Sequence, residues 1–317
     1  MRAVFLDSDS LDCGDLSMVA LIASVAQWQA YGATQPQQRH ERLRGADIAI
    51  SNKVVLDESV FASIPSLKLV CVAATGYNNI DLAAASHYGV TVCNARGYST
   101  SSVVQHVYAM LLSLYRRLPE YQKAVTKGDW QRSEQFCLLD YPMRELNGKT
   151  LGIVGYGTLG RAVAKVAECF GMRVLLSQRP DGGEPLGRIP LSDMLAQVDV
   201  LSLHCPLTPD TKGLIGRAEL SLMKPSAILI NTARGGIVDE AALVEALSCG
   251  QLAGAGIDVL LDEPPTAASP LLATEMPNLI ITPHIAWASL ESRQRLVDEL
   301  QQNIEAFQRG ESRNVLV

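Results

Sequence analysis

Residues 151–160 read L-G-I-V-G-Y-G-T-L-G, and the reading of this stretch decides the fold. Ile153 and Val154 end an apolar run short enough for a buried strand. Gly155, Gly157 and Gly160 follow at G-x-G-x-x-G spacing, and Arg161 to Cys169 has the pattern of a helix. In that setting the first glycine makes a tight turn, the second lets backbone approach a pyrophosphate, and the third packs helix against strand. The phosphates are expected on the helix N-terminus, because free N–H groups and the helix dipole favour an anion there. Glycine spacing alone is weak; strand before and helix after make it a dinucleotide site.

Working outward, short apolar runs alternate with helical pattern on both sides of the fingerprint. Arg173–Ser177, Val198–Leu203, Ala227–Asn231, Ala255–Val259 and Leu279–Thr282 read as strands, with helices such as Glu240–Leu247 between them. Upstream, Val4–Leu6, Asp47–Ile50, Leu69–Ala73 and Val90–Val92 read as strands, with Met18–Gln29 and Leu82–Tyr88 as helices. Such alternation builds parallel sheets covered on both faces. Val103–Leu118 is apolar over a wide helical face and is expected to be buried, in the core or against a second subunit. Trp130–Arg144 carries large apolar residues without a period, as an arm on a partner chain or an inter-domain loop would. Ser289–Phe307 reads as an amphipathic helix returning to the first domain. The expected domains are 1–99 with 288–317, and 100–287.

A chain of 317 residues, 48% hydrophobic and 19% charged, can bury a large core. The formal charge of -6, with no basic stripe, argues against a nucleic-acid partner. Seven scattered cysteines without a C-x-x-C pair suit reduced thiols rather than disulfides or a zinc site, and no metal is expected. Acidic residues interrupt the first apolar run, and no stretch of about 18 uninterrupted apolar residues occurs. A soluble, cytoplasmic protein without a membrane partner is the expectation.

Three polar residues follow the later strands: Arg234 after I-N-T-A, Glu263 before Pro264-Pro265, and His284 after I-T-P. Singly, each is an ordinary surface or loop residue. Together they are a cation, an acid and a base at the sheet edge beside a dinucleotide, which is what reducing a 2-keto acid requires. Negative charge builds on the carbonyl oxygen as hydride adds to carbon, and a positioned acid must protonate it. An imidazole titrates close to neutral pH, which suits His284. A carboxylate on its other ring nitrogen favours the imidazolium, which is the task for Glu263. Arg234 can fork to a substrate carboxylate. The turn Thr75-Gly76-Tyr77 follows a parallel strand and could hold that carboxylate on its N–H groups, or be an Asx-type turn leading into a helix.

The motifs A-T-G-Y-N-N-I-D-L, G-Y-G-T-L-G, H-C-P-L-T, N-T-A-R-G-G-I-V-D-E, G-A-G-I-D-V-L and I-T-P-H-I-A-W resemble, in order, those of the D-isomer-specific 2-hydroxyacid dehydrogenases. The segment from Trp130 to Gly152 and the D-E-P-P containing Glu263 are similar to the glycerate dehydrogenase, or hydroxypyruvate reductase, branch. The resemblance implies an α/β fold of two Rossmann-like lobes: a flavodoxin-like substrate or lid domain, and a doubly wound dinucleotide-binding domain. It also implies a homodimer built on the Val103 helix and the arm after it. Arg234, Glu263 and His284 match the family's catalytic positions, with Arg234 and His284 also on substrate, and Thr75, Gly76 and Tyr77 its carboxylate turn. The resemblance further places Thr158 and Leu159 against the pyrophosphate, His204, Cys205 and Pro206 beside the adenosine, and Thr232, Ala233, Arg234 and Asp258 near the nicotinamide, although Asp258 is also readable as a strand-end cap. Cys205 is read as pocket wall, since no histidine follows at a nucleophile's spacing.

One position departs from the NAD-binding pattern. Where a carboxylate usually meets the ribose hydroxyls, the chain reads Ser177-Gln178-Arg179. Loss of that negative charge, with donors in its place, favours NADP(H) over NAD(H). Arg179 stacking on adenine would instead allow both. The expected reaction is reduction of hydroxypyruvate, and glyoxylate with it, to D-glycerate and glycolate. Phosphohydroxypyruvate or a bulkier pyruvate derivative is the alternative substrate, weakened by the expected lack of a regulatory domain after Val317. A nucleotide-sensing corepressor is the alternative of another class; it calls for regulatory tails, whereas the chain is expected to begin at its first strand and end after its last helix.

Overall fold

Each run of β-branched and aliphatic residues flanking the fingerprint pairs in parallel with another. The computed structural model describes residues 1–179, 187–266, 269–273 and 275–317. Two units emerge: Met1–Ser99 with Trp287–Val317, and Thr100–Ala286. Trp287 groups with the first, its ring edge-on to Tyr98 at 6.3 Å. Among the described residues no helix is long and apolar enough to cross a membrane.

The first unit holds β1 (Arg2–Phe5), β2 (Gln27–Ala30), β3 (Ile48–Ser51), β4 (Leu69–Val72) and β5 (Thr91–Cys93) in the order β2-β1-β3-β4-β5. All four pairings are parallel. β3 and β4 are buried at every position because helices cover both faces. Successive side chains part to opposite faces: Val4, Ala49 and Val70 join one apolar cluster, while Phe5, Ile50 and Cys71 join the other. The helix Leu290–Gln308 adds Leu296, Leu300 and Ile304 to the second cluster, and Ser289 caps its N-terminus.

Met18–Gln29, expected as one helix, is instead the helix Val19–Ala23 followed by β2. β2 is an edge strand, largely exposed, so its residues Q-W-Q-A carry no apolar alternation. Pairing with β1 and the edge-on contact of Trp28 with Phe5 hold it, and neither is visible locally in sequence.

The second unit holds β6 (Thr150–Val154), β7 (Arg173–Ser177), β8 (Arg188–Ile189), β9 (Val200–Leu203), β10 (Ile228–Asn231), β11 (Gly254–Ile257) and β12 (Leu279–Ile281). Their order is β12-β11-β10-β9-β6-β7-β8, so the direction of winding reverses between β6 and β9. β8 went unforeseen because two residues carry no periodicity. The helix Thr100–Arg116 buries Val103, Val107, Met110 and Leu114 of its apolar face. It stops at Arg116, short of Leu118, because Arg117 turns left-handed with φ 54°. Tyr108 donates its hydroxyl hydrogen to the Val163 carbonyl at 2.7 Å on the helix Thr158–Cys169. β11 is glycine-rich where the first helix rests on it: a Cβ at Gly256 would lie 2.8 Å from Ile230 Cδ1 and 3.1 Å from Met110 Cβ. In the arm, Phe136 and Leu139 stand 89% and 76% exposed.

Gly256→Val therefore overpacks the helix–sheet contact and is expected to destabilise the protein by about 1–3 kcal/mol. The unfolding midpoint in denaturant measures this, and an unchanged midpoint would contradict the packing.

Candidate active site

A cavity of about 530 Å³ opens where Val154, Ser177 and His204 bring the carboxyl ends of β6, β7 and β9 together. This is the point at which strand order reverses, where open α/β sheets bind ligands. The three fingerprint glycines meet different constraints. Gly155 has φ 93°, and a Cβ there would lie 2.5 Å from the Cys205 nitrogen. At Gly160 a Cβ would lie 2.2 Å from the Gly155 carbonyl oxygen, so only glycine lets the helix seat on the strand. Gly157 faces open space. It is the N-cap of the helix Thr158–Cys169, whose first N–H groups, at Thr158 and Leu159, have no partner within the helix.

At the outer end of the cavity, Gln178 and Arg179 are exposed, while Ser177 is buried and donates its hydroxyl hydrogen to the Gln178 carbonyl at 2.9 Å. The Ser177 hydroxyl is thus already engaged, and Arg161 and Arg188 line the cavity together with Arg179. Arg161 and Arg188 were missed: one belongs to a helix pattern and the other to a two-residue strand. Arg161 lies over the Tyr156 ring, 5.9 Å from its centroid. The lining thus holds three arginines and one aspartate, Asp210, a balance that suits a polyanion.

His204 is half-buried, with Nε2 2.8 Å from Ser202 Oγ and a buried Nδ1 that has no partner among the described residues. Desolvation pushes its imidazole down to about 4, so the ring is neutral. Burial pushes the Cys205 thiol up to about 11, which leaves no thiolate for nucleophilic work. Thr232 Oγ1 is likewise buried with no partner among the described residues. An open glycine at a helix N-terminus, three arginines and two orphaned buried polar atoms match the needs of a bound dinucleotide.

Beyond β10, Asn231 bridges its own turn, accepting from the Ala233 N–H and donating to the Arg234 carbonyl, both at 3.0 Å. Arg234 is half-buried and donates from Nη1 to the Ala233 carbonyl at 2.7 Å. A Cβ at Gly235 would collide with the Leu260 carbonyl, so glycine brings the Arg234 turn against the segment after β11. That segment is held by Glu263, whose Oε1 accepts from the Leu260 N–H at 2.9 Å. Glu263 Oε2 lies 2.5 Å from His284 Nδ1. A carboxylate can only accept, so Nδ1 carries a hydrogen.

His284 itself has φ 55°, a conformation rare for a residue with a Cβ. Asp258, 1% exposed, holds it there: its carbonyl accepts from the His284 N–H, Oδ1 from Ile285 and Oδ2 from Ala286, each at 2.9 Å. The Asp258 carboxylate is thus engaged in the turn. The structure joins Glu263 directly to His284, and Gly235 brings the Arg234 turn against the Leu260 backbone. In the first unit, Thr75 donates to the Ala95 carbonyl at 2.9 Å, and its own carbonyl accepts from Asn94 Nδ2 at 2.7 Å. Beside it Gly76 is half-buried and Tyr77 exposed.

A family model described as "D-isomer specific 2-hydroxyacid dehydrogenase, NAD binding domain" matches residues 108–286. The chain is 47% identical to a glycerate dehydrogenase of Methylorubrum extorquens, covering 99% of this chain and 98% of that protein. It is 37% identical to a hydroxypyruvate reductase of Blautia hydrogenotrophica, covering 100% and 99%. An acyclic imino acid reductase solved in complex with NADPH and D-Arg superposes with a TM-score of 0.88 at 28% identity, over 100% of both chains.

The glycines give a contrast that binding measurements can check. Gly157→Ala should fold normally and weaken dinucleotide binding, because its methyl group points into open space where ligand would lie. Gly160→Ala should lower thermal stability by a strain of about 1–3 kcal/mol. Equal loss of stability in both variants would contradict this assignment.

Proposed function

The chain belongs to the D-isomer-specific 2-hydroxyacid dehydrogenase family, and on that premise we propose that it reduces hydroxypyruvate to D-glycerate, and glyoxylate to glycolate, with a nicotinamide dinucleotide, preferring NADPH. The observation that carries the chemistry is the 2.5 Å contact between Glu263 and His284 at the sheet edge that also holds Arg234. The similarity to glycerate dehydrogenase and hydroxypyruvate reductase over nearly the whole chain supports the substrate.

When bound, the nicotinamide supplies a hydride to the carbonyl carbon of the keto acid. His284 gives a proton to the oxygen on which negative charge develops. Glu263 holds the ring through Nδ1 and directs Nε2 toward that oxygen. Arg234 binds the substrate carboxylate and polarises the carbonyl. Thr75, Gly76 and Tyr77 are the further carboxylate anchor in this reading. Thr232, Ala233 and Asp258 shape the nicotinamide end, and His204, Cys205 and Pro206 the adenosine end.

The preference for NADPH rests on charge. Gln178 stands where a carboxylate would repel a 2′-phosphate, and Arg161, Arg179 and Arg188 line the same cavity. We also place the protein in the cytoplasm as a homodimer, with the exposed Phe136 and Leu139 of the arm on the partner chain. The seven free cysteines accord with a reducing compartment.

Loss of nicotinamide absorbance with purified protein and hydroxypyruvate should be fast with either reduced cofactor and faster with NADPH, and Gln178→Asp should shift the preference toward NADH. Equal or better use of NADH by the native chain would discard the cofactor preference, and no oxidation with either would move the substrate to another 2-keto acid. His284→Ala should lower turnover by about two to four orders of magnitude while the dinucleotide still binds. Near-normal turnover would remove His284 as the proton donor.

A further inference from the structure

His106, on the helix Thr100–Arg116, has no part in the mechanism above, yet it reaches the base of the turn that carries His284. Its Nε2 lies 2.9 Å from Thr282 Oγ1 and 3.6 Å from Asp258 Oδ1. Thr282 Oγ1 lies 2.6 Å from that same carboxylate oxygen. The proton inventory fixes the direction of both bonds. A carboxylate has no hydrogen to give, so the one hydroxyl hydrogen of Thr282 goes to Asp258. The Thr282 oxygen can then only accept, and His106 must present an Nε2–H to it.

The chain of donors runs from His106 through Thr282 into a carboxylate whose remaining partners are the N–H groups of Ile285 and Ala286. Those two N–H groups, with the His284 N–H on the Asp258 carbonyl, define the left-handed backbone at His284. Backbone in that region persists only where its surroundings over-determine it. The ordinary alternative is a core histidine that has merely found a partner. Two features speak against it: Asp258 is 1% exposed, and Thr282 gives its one hydroxyl hydrogen to that carboxylate, which links His106 to the turn through a fixed donor sequence. An apolar residue at position 106 would fill the space and leave the Thr282 oxygen without its donor.

We propose that His106 is a positioning residue for the reduction, fixing through Thr282 and Asp258 the turn from which His284 addresses the substrate. The proposal rests on the reading of His284 as proton donor. It separates His106 from binding: a small displacement of an acid from its reacting atom lowers turnover, while the groups that hold substrate carboxylate and dinucleotide stay in place.

The test compares His106→Leu with His106→Gln, whose side-chain amide can offer an N–H near the place of the lost Nε2–H. Steady-state reduction of hydroxypyruvate, NADPH affinity by fluorescence and thermal unfolding are measured on each. His106→Leu should lower kcat by roughly 10- to 100-fold with KM and cofactor Kd within about twofold, and His106→Gln should recover most of that loss. Thr282→Val keeps the shape without the hydroxyl and should lose kcat to the same degree, with the double variant no worse than either single one. It carries the test if His106→Leu does not fold. Equal rates for Leu and Gln at position 106 would overturn the proposal, as would losses that multiply in the double variant. His284→Ala separates the two claims. If it retains turnover, the proton-donor reading falls and this proposal with it; if it loses turnover while His106→Leu does not, only the positioning claim falls.

Discussion

A single buried carboxylate, Asp258, determines the geometry at the end of β12. Ordinary backbone would carry the chain past the sheet edge in an extended path; here it turns left-handed at His284 because three consecutive N–H groups converge on one aspartate. Burying a charge at 1% exposure is unfavourable unless its oxygens are filled, and the protein fills them with the N–H groups that must be fixed. Glu263 performs the complementary task on the side chain, tying the preceding segment at Leu260 and the imidazole at Nδ1. Backbone and ring of His284 are thus set by two different carboxylates.

The dinucleotide half of the site is organised on the opposite principle, through what is missing. Side chains are absent at Gly155 and Gly160, where atoms of neighbouring backbone occupy the space, and at Gly157, where nothing does. Hydrogen-bond partners are missing at His204 Nδ1 and Thr232 Oγ1. Buried polar atoms without partners are costly, and a ligand that supplies the missing partners recovers that cost on binding.

The fingerprint and most strands of both sheets were legible in sequence, as were the strand ends that Arg234, Glu263 and His284 follow, since each rests on local spacing. Glycine intervals report backbone conformation directly, and buried parallel strands announce themselves as continuous apolar runs. What was illegible depended on contacts distant in the chain. β2 is a strand only because β1 lies beside it, and nothing in Q-W-Q-A says so. Arg188 and Arg161 reach the cavity because of sheet order. His106 sits amid V-Q-H-V on an otherwise apolar helix, and its partners come 152 and 176 residues later. Asp258 was visible at a strand end, but its capture of Ile285 and Ala286 needed the fold.

Steady-state reduction of hydroxypyruvate by Glu263→Gln and Glu263→Ala, with NADPH affinity measured on each, tests the central claim most directly. The carboxylate accepts the Nδ1 hydrogen and so fixes the ring; a glutamine oxygen can still accept that hydrogen, whereas alanine removes the acceptor. The account predicts that kcat falls in Glu263→Ala and is largely kept in Glu263→Gln, with cofactor affinity unchanged in both. Equal turnover in the two variants would contradict it.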